Sequence, residues 1–207
     1  MKTNISIITS VSIAVIVIGG SYLVNRGGST PVDNTAGIDS MHGGAAVYSE
    51  LPSNLVGQPA PAFSLQDVNG KEFSTQNLKG KNIVLFFNEG LMCYPACWNQ
   101  IVALATDSRF NSADTVAFSV VIDPVSDWQS AIRKMPDLGK ATVLFDNDKS
   151  VSQAFGMLTV KSSMHYGSYP GHSFVLIDKK GIVRFIFDDP NMGIDNERVA
   201  AELQKFN

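Results

Sequence analysis

The chain has two cysteines, Cys93 and Cys97, four positions apart in the stretch Gly-Leu-Met-Cys-Tyr-Pro-Ala-Cys-Trp-Asn-Gln, residues 90–100. Thiols at that spacing can exchange electrons with a disulfide, attack a peroxide, hold a soft metal, or form a structural bridge. Two are too few for a disulfide scaffold or a four-thiolate zinc site. Pro95 suits the first position of a helix, where no amide donor is needed. That puts Cys93 in the preceding loop and Cys97 in the first helical turn, where free N–H groups and the positive end of the helix dipole favour a thiolate. Residues four apart within a regular helix hold their Cβ atoms about 5–6 Å apart, wider than a relaxed disulfide. A Cys93 outside the helix can bend to close that gap. A bridge over so short a loop adds little chain-entropy stabilisation, so reactivity is favoured over a purely structural bond.

Other chemistry-bearing side chains are candidates by proximity. Tyr94 and Trp98 can shape a pocket around the thiols, and Glu89 can relay a proton. Met92 and Met164 carry thioethers that suit Cu(I), although methionine more often fills gaps in a core. His165 and His172 lie well downstream, the first in an irregular stretch and the second at the start of a strand pattern.

The elements that must position these residues are legible from the apolar pattern. Two short extended pieces, 62–66 and 72–74, flank the hairpin turn Asp67-Val68-Asn69-Gly70. Residues 82–88 form a consecutive apolar run, as in a strand buried on both faces. A helix is predicted from Trp98 to about Ser108, a strand over 115–122, and a helix capped by Ser126 or Asp127 to about Leu138. A strand over 141–145 and a helix starting at Asn147 or Asp148 follow. Residues 157–171 are irregular; 172–177 and 182–187 make a hairpin, and Asp195 caps a last helix. This alternation predicts an α/β fold with a mostly parallel central sheet flanked by helices, the terminal hairpin adding antiparallel strands.

The N-terminal residues 5–24 carry no charge and are long enough to cross a bilayer, with Lys2 before them and Arg26 after. The charge balance favours the N-terminus inside and the remainder outside. A cleaved signal with its apolar core at 5–18 is the competing reading, disfavoured because the apolar run continues through Tyr22–Val24. Either way residues 55–207 are expected to lie outside the cytoplasm, where disulfides persist. Residues 25–54 read as a flexible linker, and its Met41-His42 pair is an isolated one. A net charge of −3 without a basic run argues against nucleic-acid binding.

Residues 56–87 (VGQPAPAFSLQDVNGKEFSTQNLKGKNIVLFF) resemble the opening of the AhpC/TSA, or peroxiredoxin-like, redoxins of the thioredoxin superfamily, and residues 172–187 (HSFVLIDKKGIVRFIF) resemble their closing hairpin. The resemblance implies a thioredoxin-like fold over 55–207, a reactive cysteine at the strand-to-helix turn, and a loop before the His172 strand that packs over the cysteines. It makes His172 a residue near the thiols, able to stabilise a thiolate or to ligate a metal. The peroxiredoxin pattern P-x-x-x-T-x-x-C is not kept. Counting back from Cys97, its places hold Gly90 and Tyr94; counting back from Cys93, Phe86 and Gly90. Thioredoxin-type exchangers have C-x-x-C instead.

The C-x-x-x-C spacing is similar to that of Sco proteins, membrane-anchored copper chaperones of the same fold. The leading expectation is a membrane-anchored, extracytoplasmic thiol oxidoreductase. It cycles Cys93 and Cys97 between dithiol and disulfide, needs no cofactor, and is re-reduced by an exported or membrane thiol carrier. The alternative is a copper-binding protein with Cys93, Cys97 and His172 as ligands.

Overall fold

The computed structural model describes residues 51–206. The expected anchor at 5–24, most of the linker and Met41-His42 lie outside the described residues. Among the described residues no helix is long and apolar enough to cross a membrane.

The strand Asn82–Phe87 (β3) is buried at every position, as its unbroken apolar run requires. It lies inside a seven-stranded sheet. Its neighbours there are β4 (Thr115–Val121), parallel to it, and β6 (Ser173–Ile177), antiparallel. Outward from β4 lie β5 (Val143–Phe145), β1 (Ser64–Gln66) and β2 (Glu72–Ser74); outward from β6 lies β7 (Val183–Asp188). The sheet is therefore mixed: β3, β4 and β5 are parallel, while β1, β2, β6 and β7 enter through antiparallel pairings. Asp67 closes the first hairpin by accepting the amides of Asn69 and Lys71.

Alternation along β3 divides the core. Val84 and Phe86 join one apolar cluster with α1 (Ala96–Thr106), α2 (Val125–Lys134) and α4 (Asn196–Leu203). Ile83, Leu85 and Phe87 join the other with Val151 of α3 (Ser150–Ala154) and the adjoining Phe155. Period-two alternation in the flanking β4 and β6 follows suit, since each strand is covered on both sides.

Two helix starts and one helix end differ from the sequence reading. The second helix begins at Val125 behind Pro124, not at a Ser126 or Asp127 cap, and it ends before Pro136, where a 3₁₀ turn (Pro136–Lys140) takes over. Proline disfavours helical backbone in the residue before it, and Met135 duly leaves the helix. The third helix begins at Ser150, whose amide the Asp148 carboxylate accepts at 3.0 Å, and Asp146 adds to that hold by accepting the amides of Val151 and Ser152. Its N-cap position is Lys149, at φ +65°.

Candidate active site

The loop leaving β3 is fixed by polar contacts before it reaches the cysteines. Asn88 accepts the Gly90 amide at 2.9 Å and donates to the Phe86 carbonyl at 3.2 Å. Gly90 sits at φ +59°, and a Cβ there would lie 1.7 Å from Asp123 Oδ2, so only glycine fits. The same Asp123 oxygen accepts the Leu91 amide at 3.2 Å. Burial raises the Asp123 pKa to about 6, against the opposing pull of the Leu91 N–H. Trp98 then reaches back from α1 to donate its indole N–H to the Gly90 carbonyl at 3.2 Å.

A 3₁₀ turn (Gly90–Met92) delivers Cys93 to the mouth of α1. The Tyr94–Pro95 peptide is cis, and Pro95 occupies the N-cap, so Ala96 rather than Pro95 is the first helical residue. Cys97 lies in the first turn, as its spacing implied, and its amide donates to the Cys93 carbonyl at 2.9 Å. The two cysteines are joined in a disulfide with Cα atoms 5.3 Å apart. That separation lies within the range a disulfide spans, because Cys93 is outside the helix. The bond is covered: Cys93 is 3% exposed and Cys97 1%.

Each sulfur has a distinct neighbour. Cys97 Sγ stands 3.6 Å from His172 Nδ1, at the entrance to β6. His172 is fully buried, its ring edge-on to Phe86 at 4.6 Å. Burial lowers its pKa to about 4, although the Asp189 charge pulls the other way, so the imidazole is neutral at neutral pH. Cys93 Sγ lies 3.8 Å from Met192 Sδ. Met192 is presented by the turn after β7 at φ +53°. Asp189 pins that turn by accepting the amides of Asn191 and Gly193, and its own amide bonds to the His172 carbonyl.

Other sequence candidates fall differently. Glu89 is buried and both its oxygens face His165: Oε1 accepts the His165 amide at 3.0 Å, and Oε2 lies 3.2 Å from its Nδ1. Glu89 therefore anchors the 157–171 stretch to the cysteine loop. His165 contacts Glu89, four residues before Cys93, and not the cysteines' sulfurs among the contacts described. Met92 and Met164 are exposed rather than core-filling, and the thioether against a cysteine is that of Met192. Tyr94 is exposed with its ring edge against Trp98 at 5.0 Å, and the two line a groove beside the disulfide. Sequence reasoning missed Met192, Asp189 and Asp123. The Asp-Pro-Asn-Met-Gly run at 189–193 signalled a turn, but nothing in it signalled that the turn folds back onto Cys93.

The mixed sheet, the strand-to-helix placement of the cysteine pair and the distant histidine beside it define a thioredoxin-like redoxin. Residues 56–186 match the AhpC/TSA family. The chain belongs to that family, the peroxiredoxin-like redoxins. It is 34% identical over 148 residues to a thioredoxin peroxidase of Fasciola hepatica, covering 64% of this chain and 71% of the relative. It is 28% identical over 141 residues to the chloroplastic peroxiredoxin Q of Populus jackii, covering 64% and 60%; the chain thus spans about three fifths of that relative's length. Among solved structures it resembles the reduced 2-Cys peroxiredoxin of Plasmodium vivax, at TM-score 0.62 and 21% identity, covering 73% of this chain and 95% of the other.

Proposed function

We propose that this protein is a peroxiredoxin-type thiol oxidoreductase that cycles Cys93 and Cys97 between dithiol and disulfide, held at the cell membrane by residues 5–24 with the redoxin domain outside the cytoplasm. The observation that carries the reading is the bonded pair at the N-terminus of α1 with His172 Nδ1 3.6 Å from Cys97 Sγ. Family membership and the peroxidase and peroxiredoxin relatives support the class of chemistry.

In the oxidative half, a cysteine thiolate attacks the distal oxygen of a peroxide. Its sulfur becomes a sulfenic acid and an alcohol or water leaves. The second thiol attacks that sulfur, water departs, and the disulfide forms. An external dithiol then returns two electrons and two protons. With a disulfide substrate the first step is exchange instead, and the same pair ends oxidised. The helix N-terminus lowers the cost of a thiolate, and the His172 ring, 3.6 Å from Cys97 Sγ, can hydrogen-bond to it.

Full-length protein in mild detergent tests this. After reduction, two thiols per chain should react with an alkylating reagent, and addition of peroxide or a small disulfide should remove both. Cys93→Ser and Cys97→Ser should each end turnover. A pair that stays oxidised under excess dithiothreitol, or a reduced pair inert to both oxidants, would sink the proposal.

One observation favours copper as a second reading. Cys93, Cys97 and His172 each offer a donor atom, and these lie within 4.8 Å of one another. Once reduced, two thiolates and an imidazole make a donor set suited to copper. Copper added to the reduced protein should then give thiolate-to-metal absorption that survives desalting and is lost in His172→Ala. Loss on desalting from the native chain would dismiss this reading.

A further inference from the structure

Met192 touches the cysteine pair but has no part in the cycle above. Its Sδ lies 3.8 Å from Cys93 Sγ. Met192 is half-buried, whereas Cys93 is 3% exposed, so solvent reaches the thioether more readily than the sulfur it covers. The backbone is bent to put it there. Met192 sits at φ +53°, and the other non-glycine residue at positive φ among those described is Lys149. A left-handed φ costs a residue with a side chain energy that it does not cost glycine, and Gly193 is the next residue. Asp189 holds the turn through three bonds: its carboxylate accepts the amides of Asn191 and Gly193, and its carbonyl accepts that of Met192. Held strain of this kind gathers at functional sites. Met92 and Met164 are exposed as well, but neither has a left-handed backbone. A methionine that merely filled a gap would gain nothing from one.

A thioether is oxidised by peroxide to a sulfoxide, and that change is chemically reversible. Here a thioether, a cysteine in contact with it and a second cysteine able to resolve the first stand together. We infer that Met192 is a second redox site of this protein: peroxide oxidises it to the sulfoxide, and the reduced Cys93 and Cys97 convert it back to methionine. The inference rests on the dithiol–disulfide cycle proposed above and extends that cycle to a third sulfur. In the first step the thioether takes one oxygen from the peroxide, and water or an alcohol leaves. An external dithiol then opens Cys93–Cys97. The Cys93 thiol attacks the sulfoxide sulfur, the oxygen passes to Cys93 as a sulfenic acid, and the thioether is restored. The Cys97 thiol displaces that hydroxyl as water, and the disulfide forms again. One sulfoxide and two thiols thus give one thioether, one disulfide and one water, and the external dithiol supplies the next two electrons. The gain is capacity. While the pair is oxidised and cannot take up peroxide, the chain still consumes one further equivalent at Met192.

The test uses the full chain in mild detergent, with the disulfide intact. Hydrogen peroxide is added and removed, dithiothreitol follows, and samples are quenched in acid, digested with trypsin and weighed. Arg184 and Arg198 bound a peptide, 185–198, whose only methionine is Met192; Lys161 and Lys179 bound another, 162–179, whose only methionine is Met164. Peroxide should add one oxygen to each. Dithiothreitol should then remove it from about half or more of peptide 185–198, since peroxide makes both sulfoxide epimers and one geometry presents one of them. Peptide 162–179 should keep its oxygen. Cys93→Ser/Cys97→Ser, which has no thiol for the peroxide to spoil, should keep the oxygen on both. The rate constant in the native chain should not change on dilution, as an intramolecular step requires. That measurement and the Met164 control carry the test should the double variant fold poorly. A Met192 left unoxidised, a sulfoxide that persists in the native chain, equal loss at Met164, equal loss without the cysteines, or a rate that falls on dilution would overturn the inference. A persistent sulfoxide beside two thiols that still appear with dithiothreitol and vanish with peroxide would leave the cycle standing. A disulfide that dithiothreitol does not open would remove the cycle and this inference together.

Discussion

The two faces of the sheet carry apolar cores of similar make but unequal content. Against one face, Val84 and Phe86 pack with α1, α2 and α4, and that cluster includes Cys93, Cys97 and Trp98. Against the other, Leu85 and Phe87 pack with Phe118, Leu144 and Phe155, with no cysteine among them. One strand supplies both, by alternation. The difference teaches where this fold can hold reactive groups. On the first face a helix N-terminus meets the end of β3, and the entrance to β6 lies alongside. The backbone there is already polar and a thiol pair can be stabilised. The second face offers close packing alone, so its residues set stability without touching the chemistry.

The strongest way to break this contrast is to remove one thiol from the first face. Cys97→Ser should abolish catalytic cycling, while the loss of so short a cross-link costs only about 2 kcal/mol of stability or less. Turnover assays beside urea melts measure both. A variant that unfolds outright would mean that the disulfide is chiefly structural. The second face should answer in the opposite way. Phe87 is fully buried, with its ring 5.4 Å from that of Phe155. Phe87→Ala should cost about 3–5 kcal/mol by transfer and cavity terms together, with turnover per folded molecule unchanged.

Gly90 lies where backbone and site meet, and its replacement is the next largest effect. Alanine there takes on a left-handed φ and puts its Cβ against the Asp123 carboxylate and 3.3 Å from Val121 Cβ. Overpacking and backbone strain together should cost about 2–4 kcal/mol. Unlike Phe87→Ala, Gly90→Ala should also slow disulfide cycling, because the Asp123 carboxylate that gives way is the one holding the Leu91 amide. Thermal melts with parallel kinetics separate the two outcomes; destabilisation without a kinetic change would detach this loop from the chemistry.

Most of the fold was legible in the sequence, because its signals are local. The unbroken apolar run of β3, the turn at Asp67–Gly70 and the closing hairpin each specify an element without reference to distant parts. The cysteine pair was legible for the same reason: four residues and a proline locate it at a helix start. What escaped depends on contacts across the chain. Met192 reaches Cys93 over 99 positions and Glu89 meets His165 over 76, and no period or spacing reports such a meeting. His172 was the exception only because the resemblance to a family supplied the topology. At α3 the short-range part was legible, since Asp148 accepts the Ser150 amide two residues ahead, but Asp146 was missed because it bonds five and six residues ahead, whereas an N-cap side chain reaches two or three.

The smallest expected effect lies in the pH dependence of the oxidised, metal-free protein, where two buried groups beside the site oppose one another. Asp123 has its pKa raised from 3.8 to about 6 by burial. Between those values the folded state keeps a proton that the unfolded chain releases, so stability falls as pH rises through that window. His172 has its pKa lowered from 6.5 to about 4, also chiefly by burial. There the unfolded chain takes up a proton that the folded state refuses, so stability falls as pH drops from 6.5 toward 4. Each contribution is at most about 3 kcal/mol, and the windows overlap, so these two terms should nearly cancel in the native protein. Asp123→Asn should expose the His172 term as a loss of stability on acidification between those pH values. His172→Gln should expose the Asp123 term as a gain over the same range. Phe87→Ala, on the other face, should lower stability at every pH and leave the balance of the two slopes as it was. Urea melts from pH 4 to 7 read all three. A flat response in Asp123→Asn would mean that His172 takes up its proton in the folded state, and that its pocket is open to water rather than sealed by Phe86.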